Sequence, residues 1–250
     1  MDATELKNIA KETACLPVSG CSRSMAAWHK HANNLRSLIL ERNPHDFLQW
    51  KVIRDTMVAP GVHTGKRMDY LTSHPDYNKL RPLLTDHAAI QMIYHVMQYQ
   101  DRTGLHVSEL SSIVEFGGGY GNLCRAIHRL GFNGQYTIWD LPIFSALQRF
   151  YLENSGITRV ACGQICQPVE TDLFIATWSL SEVSHGYKDY VLRRVRAGSV
   201  LIAYSNVFEE IGDNRAYFKR WAKPHWHHWE MPFLRGHYYL IGNDNLSDDL

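Results

Sequence analysis

No apolar run in this chain approaches the roughly 20 residues needed to cross a bilayer as a helix. The longest, such as Leu173-Phe174-Ile175-Ala176 and Val200-Leu201-Ile202-Ala203, have the length of strands. Neither sign of charge dominates: 26 basic residues against 25 acidic leave a formal net charge of +1. The clustered Lys and Arg that draw a protein onto phosphate backbones are missing, so no nucleic-acid partner is expected. No CxxC pair occurs among Cys15, Cys21, Cys124, Cys162 and Cys166, which argues against a disulfide framework or a zinc knuckle. HExxH spacing is also absent, and no metal ligand set is expected. The opening Met1-Asp2-Ala3-Thr4-Glu5-Leu6-Lys7 has acids where a secretion signal carries bases, with no apolar stretch behind them. These absences predict a cytoplasmic protein with free thiols and no membrane span. What remains is ordinary globular stuff: 250 residues, 45% hydrophobic and 20% charged, enough for one or two domains with a sizeable core.

Two regions of different character follow. Residues 1–110 show helical spacing, as in Trp28, His31, Leu35, Leu38 and Ile39, or Leu83, His87, Ile90, Ile93 and Met97. Between these lies a loop-rich stretch, residues 58–82, with Pro60, Gly61, Gly65, Pro75 and Pro82. This helical N-terminal region is expected to serve as a substrate lid or a homodimer contact. From residue 111 to 250 short apolar runs alternate with amphipathic stretches, the pattern of βαβ units. Strands are expected at residues 113–116, 136–139, 159–162, 172–177 and 199–204, with helices at 122–130, 142–154, 187–196 and 213–222. The last two runs, 225–231 and 237–241, are joined by a link too short for a helical crossover and should pair antiparallel.

The first strand runs into Glu115-Phe116-Gly117-Gly118-Gly119-Tyr120-Gly121. Glycines there permit a tight turn and let a ligand lie against backbone at the positive end of the next helix. A dinucleotide fingerprint would space them G-x-G-x-x-G; here the last glycine comes one residue early. Glu115, just before the loop, would repel a pyrophosphate and suit an amino group or a sulfonium. The second strand ends in Asp140, placed to accept hydrogen bonds from both hydroxyls of a ribose.

The segment from Val114 to Gly121, followed by Thr137-Ile138-Trp139-Asp140-Leu141-Pro142, resembles the first two motifs of class I S-adenosylmethionine-dependent methyltransferases. More narrowly, the chain resembles the sugar O-methyltransferase family. The likeness continues in Ala176-Thr177-Trp178-Ser179-Leu180-Ser181-Glu182 and Gly236-His237-Tyr238-Tyr239-Leu240-Ile241-Gly242, and more loosely in Phe47-Leu48-Gln49-Trp50 through Thr56-Met57. It implies an α/β Rossmann-like class I methyltransferase fold: a seven-stranded sheet in the order 3-2-1-4-5-7-6, with strand 7 antiparallel. It also implies S-adenosyl-L-methionine as cofactor. Glu115, Gly117, Gly118 and Gly119 would cradle its methionine portion, Asp140 the ribose and Leu141 the adenine face, with Gln164 at the adenine edge and Thr177 at the end of strand 4.

The acceptor would then be a hydroxyl of a sugar, nucleotide-sugar or glycan, facing the carboxyl ends of strands 4 to 6. The chain has no [DN]-P-P-[FY] tetrapeptide after strand 4, which disfavours transfer to an exocyclic base amine. Glu182 is the expected general base, with His228 and His227, from the histidine-dense run His225-Trp226-His227-His228-Trp229-Glu230, as further catalytic candidates. Trp178 would stack on a sugar ring, and Ser181 and His185 would bond its hydroxyls. His63 and Arg67 would reach the acceptor from the helical region, with Arg67 suited to an anionic group. Three alternatives stay open at this level: an O-methyltransferase for a non-sugar small molecule, an NAD-binding oxidoreductase, and a non-catalytic interaction module.

Overall fold

A computed structural model describes residues 1–44, 63–165 and 167–244. The Phe47–Met57 part of the resemblance, Gly61 and Cys166 lie outside the described residues. Seven strands form one sheet: β1 (Ser112–Phe116), β2 (Gln135–Trp139), β3 (Val160–Gly163), β4 (Val169–Thr177), β5 (Val195–Ser205), β6 (His227–Glu230) and β7 (His237–Asn243). Their order is β3-β2-β1-β4-β5-β7-β6. Strands β1 to β5 pair in parallel, and β7 runs antiparallel to both β5 and β6. This is the Rossmann-like class I methyltransferase topology.

The sheet is buried on both faces because its central strands alternate large apolar side chains in both directions. Ile113, Leu173, Ile175, Leu201, Tyr239 and Ile241 join the core on one face. Val114, Phe174, Ala176, Val200, Ile202 and Leu240 join the core on the other. Nine helices are described: α1 (Ala3–Glu12), α2 (Arg23–Glu41), α3 (Thr64–Ser73), α4 (Tyr77–Leu80), α5 (His87–Thr103), α6 (Asn122–Arg129), α7 (Pro142–Asn154), α8 (His185–Leu192) and α9 (Asn214–Trp221). Helices α5 and α6 cover the first face, α8 and α9 the second, and α1 and α2 pack on α7.

Helix α5 is buried along nearly all its length. Asp86 accepts from the Ala88 and Ala89 amides at its start, and Gly104 closes it in the left-handed conformation that suits glycine. It precedes residue 110 yet supplies Ile93, Val96 and Met97 to the core under the sheet.

The structure corrects two expectations. Residues 64–73 and 77–80 are helical rather than loop. Helix α8 ends at Leu192 rather than 196, and β5 begins at Val195. The reason is pairing: β4 starts early, at Val169, and its first residues take Val195, Arg196 and Ala197 as partners. Helix α1 falls within the region of helical spacing, and its Leu6 and Ala10 are fully buried.

Candidate active site

The carboxyl ends of β1, β2 and β4 open into a cavity of about 1630 Å³. Single-ligand pockets span roughly 300–1,000 Å³, so this cavity has room for two molecules side by side. Glu115, Gly117, Gly118, Gly119, Asp140, Leu141, Gln164 and Thr177 all line it. So do Trp178, Glu182, His63 and Arg67.

The glycine loop is held where no side chain fits. Gly117 and Gly119 have φ of 72° and 58°, the left-handed region. A Cβ on Gly117 would stand 2.3 Å from Ser179 Cβ, and one on Gly118 would stand 2.6 Å from Ile138 Cγ2. The Ser179 hydroxyl donates to the Phe116 carbonyl, tying this loop to the turn after β4. Gly121 precedes α6, whose first residue, Asn122, lines the cavity. Among the described residues the buried Asn122 Nδ2 has no hydrogen-bond partner.

Two carboxyls flank the loop. Glu115 is 1% exposed and accepts from the Tyr136 hydroxyl at 2.8 Å. Burial pushes its pKa up to about 7, against the lowering effect of that hydrogen bond. Asp140 accepts from the Leu141 amide and from Gln148 Nε2, both at 2.8 Å. Burial raises its pKa to about 7 as well. Among the described residues neither acid forms an ion pair. Two acids, one buried and one half-buried, without a counter-cation among the described residues fit a ligand that brings hydroxyl and ammonium donors or a positive centre. They do not fit a diphosphate.

Beyond the loop, Trp178 ends β4 with φ 67° and ψ −33°, an uncommon conformation for a bulky residue. Its amide donates to the Ala203 carbonyl at 2.6 Å, and its indole Nε1 donates to His237 Nδ1 at 2.8 Å. Since Nδ1 accepts, neutral His237 carries its proton on Nε2. Burial lowers its pKa and favours that neutral form. His237 therefore offers the cavity a donor, not a base. Glu182 closes the short helical turn Ser179–Glu182, and burial alone raises its pKa to about 7.

Four expected site residues do not line the cavity. His228 faces away, its Nε2 against the Tyr204 hydroxyl and its ring stacked on Tyr204 at 5.9 Å. His227 is exposed. The register explains both: His237 pairs with Ser205 at the rim, whereas His228 and His227 pair with Leu240 and Ile241, three and four rungs further down β7. Ser181 is fully buried, its hydroxyl donating to the Trp178 carbonyl at 2.6 Å, so it supports the strained turn from beneath. His185 stacks on Tyr217 and meets the Gly212 carbonyl through Nε2 at 3.1 Å. Conversely, His237, Gln91, Met92 and Trp28 line the cavity without having been singled out as site residues. His237 had a legible signal: the first residue of an antiparallel final strand must sit at the carboxyl ends of its parallel neighbours.

No family model matches this chain, and no curated protein does. Among solved structures it is similar to a Podospora anserina methyltransferase bound to S-adenosylhomocysteine, at 17% identity over 71% of this chain and 86% of that one, with TM-score 0.42. It is also similar to PigF with S-adenosylhomocysteine, at 13% identity over 83% of this chain and 77% of that one, TM-score 0.43. A third is the 16S rRNA methylase ArmA, at 14% identity over 80% of this chain and 97% of that one, TM-score 0.41. Likenesses this distant carry no argument about reaction or substrate, and the fold assignment rests on the strand order itself.

Proposed function

We propose that this protein transfers a methyl group from S-adenosyl-L-methionine to a hydroxyl of a sugar, nucleotide-sugar or glycan. The observation that carries the cofactor is the pair of acids, the buried Glu115 and the half-buried Asp140, on either side of a loop in which Cβ atoms at Gly117 and Gly118 would clash. Asp140 would hold the ribose hydroxyls, Glu115 and the Gly117–Gly119 backbone the methionine portion, and Leu141 and Gln164 the adenine. Asn122 Nδ2 is a buried donor that such a ligand would satisfy. The sugar acceptor rests on the resemblance of the β4 and β7 segments, and Trp178 offers an indole that a sugar ring can stack against.

When bound, the cofactor supplies a methyl group already activated on a sulfonium. The chain's task is then to position the acceptor and relieve its hydroxyl of a proton. Holding donor and acceptor in line is worth about 7–11 kcal/mol in favourable cases. Glu182 takes the hydroxyl proton. With its pKa raised to about 7 by burial, it is both a stronger base than an ordinary carboxylate and largely ionised slightly above neutrality. Trp178 and its hydrogen bond to His237 fix the wall against which the acceptor lies. Like-charge repulsion weakens the oxidoreductase reading, because NAD would set a pyrophosphate beside two acids. Calorimetric titration with S-adenosylhomocysteine and with NAD tests this directly. Tighter binding of NAD overturns the reading, and the first ligand binding in the micromolar range supports it.

A further inference from the structure

The end of the cavity away from Glu115 and Asp140 has the opposite electrostatic character. Arg67 lines it and is 5% exposed, yet among the described residues its guanidinium meets no hydrogen-bond acceptor, and its Nε is buried without a partner. Among the described residues no carboxylate comes within ion-pair distance of it. It is held in place by packing: its guanidinium lies over the Phe233 ring at 5.2 Å, and His63, four residues earlier at the N-cap of α3, meets that ring at 5.4 Å. The ionisable neighbours that bear on it are Tyr94, Tyr239 and His95, all uncharged at neutral pH. His237, with its Nε2 proton, lines the same end. A buried cation with no anion is costly unless a ligand supplies one.

We propose that the acceptor bound here carries an anionic oxyacid group, carboxylate or phosphate, which Arg67 grips through its planar fork while His63 and His237 flank it as hydrogen-bonding partners. A guanidinium presents paired N–H donors that match both groups. The inference rests on the methyltransferase reading and narrows it: uronic acids, sugar phosphates and nucleotide-sugars fit, and neutral sugars do not. It also gives the strained Trp178 turn a purpose, since the Trp178–His237 bond fixes the tautomer that makes His237 a donor.

The test uses the whole protein saturated with S-adenosylhomocysteine, titrated with benzoate, phenyl phosphate and the neutral isostere benzamide, with tryptophan fluorescence as readout beside Trp178. The same titrations are run without S-adenosylhomocysteine and in Arg67→Met and Arg67→Lys. At least one anion should bind ten times or more tighter than benzamide. Arg67→Met should erase that ratio, Arg67→Lys should keep part of it, and the midpoint of thermal unfolding of Arg67→Met should hold or rise. A ratio near one in the wild type, or a ratio unchanged in Arg67→Met, overturns the proposal. So does a tenfold loss of S-adenosylhomocysteine affinity in Arg67→Met, which would assign the guanidinium to the cofactor's own carboxylate. A lower unfolding midpoint in Arg67→Met with the anion preference intact would make Arg67 structural. A protein that ignores S-adenosylhomocysteine yet binds the anions through Arg67 would sink the methyltransferase reading and leave the anion site standing.

Discussion

The two ends of the cavity are opposites in charge and in construction. At the glycine loop, the buried Glu115 and the half-buried Asp140 have no cationic partner among the described residues, and the wall is backbone fixed by local sequence. At the other end, Arg67 is buried without an anionic partner among the described residues, and the wall is assembled from α3, the turn after β4 and the start of β7. Placing charges of opposite sign at separate ends would, on the proposed reading, sort two ligands into two positions and give each a site that disfavours the other's charge. The lesson is that a cavity's occupants can be argued from the charges it leaves unpaired.

The largest effect is expected at the junction of the two ends. Glu182→Gln should lower turnover by about 10²–10⁴-fold, with S-adenosylhomocysteine affinity within a factor of a few of wild type, checked by single-turnover kinetics and calorimetry. In the wild type, turnover should fall as pH drops through about 7, because the base must be ionised to act; a flat profile there would remove Glu182 from the role. Next comes the acidic end: Asp140→Ala should weaken S-adenosylhomocysteine by about 10- to 100-fold, the worth of hydrogen bonds to a charged group, while leaving benzoate binding intact. If both ligands weaken together, the two ends are not independent and the comparison breaks.

A smaller effect concerns stability. Glu115, Asp140 and Glu182 have folded pKa values raised to about 7, against about 4 for unfolded carboxyls. Between those values the folded state binds more protons than the unfolded state, so stability falls as pH rises through that window. The ligand-free unfolding midpoint should therefore be higher at pH 5 than at pH 8 so far as these groups decide it, and Asp140→Asn should flatten part of the slope. The smallest effect is at the rim. Glu210 accepts from the Ser24 amide and hydroxyl at the start of α2, whose Trp28 and Leu35 line the cavity. Glu210→Ala should speed S-adenosylhomocysteine dissociation only a few-fold in stopped-flow measurements, since the pair lies at the surface.

The acidic end was legible in the sequence and the basic end only in part, for a physical reason. The glycines, Glu115 and Asp140 lie at successive strand ends, where strand, turn and helix signals are local and the parallel register brings them together. Arg67 and His63 read in the sequence as parts of a loop; that His63 stands at the N-cap of the helix whose first turn carries Arg67 is a fact of the fold. His227 and His228 drew attention by density alone, and their depth along β7 depends on a non-local register. His237 stood outside that dense run, yet the same register brought it to the rim. The N-terminal contributions of α2 and α5 to the cavity are likewise tertiary facts, since apolar periodicity marks a buried face without saying what it is buried against.

The most direct measurement is calorimetric titration of S-adenosylhomocysteine into the wild-type protein at pH 8 and pH 6, with Asp140→Ala alongside. Micromolar binding at pH 8 that weakens at pH 6, as the two acids take up protons, and is largely lost in Asp140→Ala is the predicted result. Absence of binding, or binding indifferent to both the pH and Asp140, would contradict the account.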